Sequence, residues 1–236
     1  MRTFRNIGLI LILAIVAVSS QAQKRIYNKL VWQDNFSVNG LPDSTKWGYD
    51  IGTGSNGWGN AESQYYTNRS QNVIVEGGML KIKALKENFG GSNYTSARIL
   101  TKDKFDFRYG RVEVRAKVPS GVGTWPAIWM LGNNINTVGW PNCGEIDIME
   151  HIGRDLNKIY ATLHYPGRSG GNANGASRMV NTATTAFHVY GLEWTSSIIR
   201  MTVDGETVHT VANSSAIPFN HNFFFILNVA MGGNFA

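Results

Sequence analysis

Three carboxylates fall within Glu145-Ile146-Asp147-Ile148-Met149-Glu150, in a chain that holds only 16 acidic residues among 236. The residues between them are apolar, so the segment is not a solvated charged run. In an extended strand Glu145 and Asp147 project from one face. Glu150 lies five positions beyond Glu145, and strict alternation would send it into the core, where an unpaired carboxylate is costly. One extra residue, a β-bulge near Ile148-Met149, returns Glu150 to the face of the other two. A face carrying two glutamates and an aspartate can supply both a nucleophile and a proton donor.

The spacing narrows that chemistry. With a bulge the glutamates stand effectively four positions apart, about 13 Å along the backbone. Inclined side chains that each reach about 4 Å bring the carboxyls to about 5 Å, the separation that suits glycoside hydrolysis with retention; inverting pairs stand about 6.5–9.5 Å apart. One glutamate would attack the anomeric carbon, and the other would protonate the leaving oxygen and then activate water. Asp147 can hydrogen-bond the nucleophile, and crowding of three acids raises at least one pKa. From these residues alone, an acidic strand at a calcium site or a partnered surface face stays open.

The elements that must hold this strand have a period of two. Arg111 to Val118 alternates polar and apolar residues, as a half-buried strand does. Asn72–Val75 and Met79–Leu85 flank a Glu76-Gly77-Gly78 turn, and Ile198–Val203 and Glu206–Val211 flank Asp204-Gly205, so each pair predicts a hairpin. Further strands are expected at Leu30–Phe36, Ser96–Leu100, Pro126–Leu131, Glu145–Glu150, Lys158–His164 and Val189–Trp194. Phe223–Ala230 is almost continuously apolar, as in a buried strand. Gly52–Asn60 and Gly167–Gly175 read as surface loops, and no helix-length amphipathic segment is present. The pattern predicts an all-β fold, a two-sheet sandwich in preference to a barrel.

Composition agrees. Apolar residues make up 43% of the chain and charged residues 16%, too little charge for a coiled coil or a disordered segment. The 26 glycines and seven tryptophans fit tight turns between aromatic-rich strands, and the single cysteine excludes an internal disulfide framework. Arg2 and Arg5 precede an apolar run, Ile7–Val18, and a Ser20-Gln21-Ala22 site, which together read as a signal peptide over residues 1–22. The run is shorter than the roughly 20 residues that a membrane helix needs. A secreted or periplasmic product is expected, with no stable membrane association after cleavage and one domain over 23–236. Removing the signal leaves 20 basic against 16 acidic residues, scattered along the chain. Nucleic acid is therefore not an expected partner.

The acidic segment resembles the catalytic signature of family-16 glycoside hydrolases, in the version that carries the bulge residue. Its surroundings resemble the laminarinase-like endo-β-1,3-glucanases of that family: Gly57-Trp58-Gly59-Asn60-Ala61-Glu62-Ser63-Gln64-Tyr65-Tyr66-Thr67, Tyr94-Thr95-Ser96-Ala97-Arg98, Thr124-Trp125-Pro126-Ala127-Ile128-Trp129-Met130-Leu131, Trp140-Pro141-Asn142-Cys143 and Ala161-Thr162-Leu163-His164-Tyr165. The matches run in family order from Leu30 to Asn234. The resemblance implies a concanavalin-like β-jelly-roll sandwich with a concave sugar-binding cleft. It also implies retaining hydrolysis of β-1,3-glucan, with extension to mixed β-1,3/1,4 linkages open, Glu145 as nucleophile and Glu150 as acid/base. Members without the bulge residue include lichenases and xyloglucan-active enzymes, so Met149 argues against those. Agar- and carrageenan-active members share it and stay in play, as does a non-catalytic or inactive carbohydrate-binding fragment.

Candidate binding residues follow from chemistry and from the resemblance. Trp125 and Trp129, four apart, would share a strand face and could stack on sugar rings or enter the core. Trp140 could cap a subsite or pack in its loop. Asn60 and Arg98 can hydrogen-bond sugar hydroxyls; an isolated arginine more often makes a surface ion pair. His164 ends a strand near the acids and could orient a hydroxyl, tune Glu150 or serve structure alone. Glu62 is expected to brace its loop and Cys143 to act as a small buried hydrophobe.

Two departures from the family pattern matter. Asn35 stands where relatives carry a glutamate of a structural calcium site, which weakens the case for calcium; no metal ligand is assigned and no cofactor is required. Relatives also continue past Gly232-Gly233-Asn234 into a closing strand, so this sequence is expected to lack its last strand. A monomer acting on a polysaccharide is the expectation.

Overall fold

The short, alternating apolar runs of the sequence become strands connected by tight turns. The computed structural model describes residues 27–236, so the export signal expected at 1–22 lies outside the described residues. Among the described residues, all regular structure lies in the compact unit Val31–Ala236. In chain order the strands are β1 Gly48–Asp50, β2 Gln64–Tyr66, β3 Val73–Val75, β4 Leu80–Ile82, β5 Leu85–Phe89, β6 Ser92–Ser96, β7 Arg98–Leu100, β8 Gly110–Ala116 and β9 Thr124–Gly132. After a four-residue helix α1, Ile135–Val138, come β10 Glu145–His151, β11 Lys158–His164, β12 Asn174–Met179, β13 His188–Trp194, β14 Ile198–Val203, β15 Glu206–Ala212 and β16 Phe223–Met231.

Seven strands form one sheet in the order β1-β7-β16-β9-β10-β11-β12, and four form a second in the order β15-β14-β13-β8. Both are antiparallel throughout. Met130, Ile146, Ile148, Met149, Ile159 and Leu163 from the first meet Tyr190, Leu192, Trp194, Ile199, Met201 and Val203 from the second in one buried core. The molecule is thus an all-β jelly-roll sandwich, and the opposite face of the seven-stranded sheet is left to carry chemistry. Strand β16 lies between β7 and β9, and it is buried on both faces because Phe224 and Ile226 join a second cluster with Leu100, Leu131 and Cys143. That is why its sequence is a continuous apolar run.

Three expectations change. Leu30–Phe36 carries no ladder: Asp34 Oδ1 accepts the Phe36 amide at 2.9 Å and Phe36 turns to φ 50°. Trp32 nevertheless stacks on Phe105 and Phe36 on Trp47, so the alternating side chains dock without a sheet. The second arm of the Asn72–Leu85 hairpin breaks after Ile82, and Leu85 starts β5. The loop expected over Gly167–Gly175 ends early, because β12 begins at Asn174 and pairs with β11.

Candidate active site

Strand β10 is the centre of the site, and its bulge is present. Glu145, Ile146 and Asp147 face Leu131, Met130 and Trp129 of β9; Met149 and Glu150 then face Ile128 and Ala127, so the register skips Ile148. On the other side Asp147 faces Thr162 of β11 and Glu150 faces Tyr160. Ile148 and Met149 both enter the core, each about 1% exposed, while Glu150 returns to the face of Glu145 and Asp147. Gly144, at φ 74°, admits the chain to β10: a Cβ there would meet the Phe223 ring and the Pro218 carbonyl at 3.0 Å.

Each glutamate has its own tryptophan donor. Trp140 Nε1 donates to Glu145 Oε2 at 2.6 Å, and Trp125 Nε1 donates to Glu150 Oε1 at 3.0 Å. Thr162 Oγ1 adds a longer contact to Glu150 Oε2, 3.4 Å. Asp147 is buried and hydrogen-bonded to Glu145, and His164 Nε2 lies 3.2 Å from Asp147 Oδ2. Gly170 N–H donates to His164 Nδ1 at 3.1 Å, which assigns the ring proton to Nε2, facing the aspartate. His164 is also the ladder partner of Glu145 and lies 5.8 Å from the Trp140 ring.

Burial sets the proton affinities. It pushes Glu145 up to about 8, helped by the negative charge of Asp147, and Glu150 up to about 7 against the pull of the Trp125 donor. Asp147 is raised for the same first reason, and Glu150 adds to it. Three acids crowded on one face titrate as a group that shares protons. The shared proton therefore rests first on Glu145, and both glutamates keep an indole N–H donor; retaining hydrolysis needs the reverse distribution, with the proton on Glu150 and the charge on Glu145.

Trp129 stands over the same face as the ladder partner of Asp147. Its Nε1 donates to Asn228 Oδ1 at 2.7 Å; Asn228 Nδ2 donates to the Tyr66 hydroxyl, which donates to Glu62 Oε2. Arg98 is buried with its guanidinium 4.7 Å from both the Trp58 and Trp129 rings and 2.9 Å from Asp50. Its ion pair is therefore real but belongs to the site, where it holds Trp129 in place. Asn60 bonds Glu62 through its side chain and takes the Asn234 amide on its carbonyl at 2.8 Å, beside Trp125. Trp140 is about half exposed at the edge of the face, open to a ligand.

The structure thus gathers Glu145, Asp147, His164 and Trp140 into one group, Glu150 and Trp125 into a second, and Trp129 and Arg98 into a third. Sequence reasoning missed Thr162, Tyr160, Trp58 and Asn228. Asn228 had a signal, as the one polar residue inside the apolar run of β16. Thr162 also had one, since it alternates with His164.

Glu145, Asp147 and His164 bring potential ligand atoms within 4.8 Å of one another. A cation there would displace the Nε2 proton to Nδ1 and set it against the Gly170 N–H, so this donor set suits protons better than a metal. Near the start of the unit, both oxygens of Asp34 are taken, by Phe36 N–H and by Trp47 Nε1 at 2.9 Å, and Lys46 lies 3.7 Å away. With the carboxamide of Asn35 next to it, that group does not fit a calcium ion.

A jelly roll with a half-buried and a buried glutamate beneath an aromatic-lined face defines a carbohydrate-cleaving hydrolase. The chain belongs to the glycosyl hydrolases family 16, whose profile matches residues 60–233. Beta-glucanase of Rhodothermus marinus is 44% identical over 230 residues, covering 91% of this chain and 79% of that protein. The solved laminarinase from Rhodothermus marinus superposes with a TM-score of 0.84 at 44% identity, over 88% of this chain and 87% of that one. LamA from Z. galactanivorans, solved with laminaritriose and laminaritetraose, superposes at 0.80 with 41% identity, over 88% and 90% of the two chains.

Proposed function

We propose that this chain cleaves internal β-1,3 linkages of glucan by double displacement. The observation that carries the reading is the Ile148 bulge, which puts Glu150 on the face of Glu145. The names of the relatives, a beta-glucanase and a laminarinase, support the substrate.

In the first step a Glu145 oxygen attacks the anomeric carbon and the glycosidic C–O bond breaks, while Glu150 gives its proton to the leaving oxygen. Trp140 orients Glu145, and Asp147 shares a proton with it as its charge changes. Glu145 charge contributes to the raised pKa of Glu150. Once Glu145 is an ester that contribution is gone, so Glu150 becomes a stronger acid and is left ionised. It then takes a proton from water, the hydroxide oxygen attacks the anomeric carbon, and Glu145 leaves as a carboxylate. Trp125, Trp129 and Trp140 supply flat faces for sugar rings. Export through residues 1–22 and action as a monomer, free of membrane and nucleic acid, complete the reading.

Reducing-sugar release across laminarin, mixed-linkage glucan, agarose and carrageenan tests it. Laminarin should be the best substrate, and Glu145→Gln should lose activity about 10³-fold or more, of the order seen when a catalytic group is removed. Preference for a galactan would overturn the substrate. Unchanged activity in Glu145→Gln would overturn the mechanism.

A further inference from the structure

Phe235 has no part in the chemistry above, yet its ring meets two side chains that bracket Glu150. It sits edge-on to Trp125, with centroids 5.4 Å apart and planes at 70°, and edge-on to Tyr160, at 5.1 Å and 74°. Trp125 is the hydrogen-bond donor to Glu150, and Tyr160 is its ladder partner on β11. The ring therefore bridges the side chains that border this acid from β9 and from β11.

The backbone is built to hold the ring there. Gly232 N–H donates to Gly123 O at 2.7 Å, Asn234 N–H to Asn60 O at 2.8 Å, and Arg154 Nη2 to Phe235 O at 2.8 Å. Gly233 takes φ 100°, and a Cβ there would stand 3.1 Å from both Asn60 O and the Trp125 ring, so the turn into Phe235 needs glycine. The hydroxyl of Tyr160 is tied to Asp155 Oδ2 at 2.6 Å, which fixes the other wall.

We propose that Phe235 is a positioning residue for the acid/base: it clamps Trp125 and Tyr160 and keeps water from Glu150. The proposal rests on the reading of Glu150 as acid/base. The titratable and charged groups around Glu150 are Glu145 and Asp147 on its own strand, His164 and Tyr160 on β11, and Asp155 and Arg154 behind Tyr160. Trp125 from β9 adds a neutral donor. None of these changes in Phe235→Ala, so a change in Glu150 reports hydration and the freedom of Trp125. Water favours the carboxylate, so the variant acid should titrate at lower pH.

The test compares wild type, Phe235→Ala, Phe235→Leu and Phe235→Tyr in two measurements. One is the pH profile of kcat/KM on laminarin. The other is the carbon NMR titration of the Glu150 carboxyl, assigned by its loss in Glu150→Gln, which needs no turnover. Phe235→Ala should shift the alkaline limb and the Glu150 midpoint down by about 0.5–1 pH unit, with Phe235→Leu in between and Phe235→Tyr close to wild type. An unmoved midpoint overturns the proposal, whether the change lowers Tm, raises KM or does neither. If Phe235→Ala does not fold, the Phe235→Leu midpoint decides. A shifted midpoint in a protein without turnover supports the shield and contradicts the proposed hydrolysis.

Discussion

Glu145 and Glu150 are five residues apart in sequence but four ladder positions apart on β10: they face Leu131 and Ala127 on β9, and His164 and Tyr160 on β11. The difference of one is Ile148. A regular strand puts residues four apart on one face and residues three apart on opposite faces. Deleting Ile148 should keep both acids on the outer face, with laminarin hydrolysis well above that of Glu150→Gln. Deleting Ile148 and Met149 together should turn Glu150 inward and bring activity down to the Glu150→Gln level. Each deletion removes buried apolar volume, so Tm should fall in both; assays belong below the lower Tm. Equal loss of activity in the two deletions would contradict the register argument.

Trp125→Phe keeps a ring against Phe235 and removes the donor to Glu150. Because that N–H favours the carboxylate, its loss should raise the pKa of Glu150 and move the alkaline limb of kcat/KM upward. Phe235→Ala should move it downward. Limbs that shift in the same direction would contradict the separate roles of donor and shield.

The raised carboxyl pKa values also predict how stability depends on pH. In the unfolded chain Glu145 and Glu150 titrate near their ordinary 4.5, and in the folded chain at about 8 and 7. Between those limits the folded state binds more protons, so stability falls as pH rises from about 5 to about 8. Asp147→Asn removes one acid that burial penalises, so it should raise Tm at pH 8 more than at pH 5 while lowering kcat. A Tm gain that is the same at both pH values would rule out the buried-acid explanation.

Arg98 is held by Asp50 and by two indole rings, and its loss leaves Asp50 without its ion-pair partner. Arg98→Ala should cost on the order of 2 kcal/mol by denaturant unfolding. It should raise KM more than it lowers kcat, because Trp129 loses its support while the acids keep their own donors. A purely kcat effect would place Arg98 closer to the bond being broken.

Much of this architecture was legible in the sequence because it is local. The Glu145–Glu150 segment alone demands a bulge, since its apolar residues need a core and its acids need a shared face. Trp125 and Trp129 share that face by simple alternation. What was hidden depends on contacts between segments far apart in the chain. Arg98 reads as a surface ion pair until β7, β9 and the turn around Trp58 are brought together. Phe235 gives no periodic signal, and its role arises from packing against two strands more than 70 residues earlier. Leu30–Phe36 misleads for the opposite reason: its alternation is real, but Asp34 captures the amide of Phe36. Strand β12 was obscured by glycines and asparagines that resemble a loop, although pairing with β11 extends them.

The central claim is that Glu145 forms a glycosyl ester while Glu150 handles the proton. A 2-deoxy-2-fluoro laminari-oligosaccharide with a good leaving group slows breakdown of that ester enough to trap it. Peptide mass mapping of the inactivated protein should find the fluorosugar on Glu145 alone, and Glu145→Gln should take up none. A label on Asp147 or Glu150, or rapid turnover of laminarin with no label anywhere, would contradict the account.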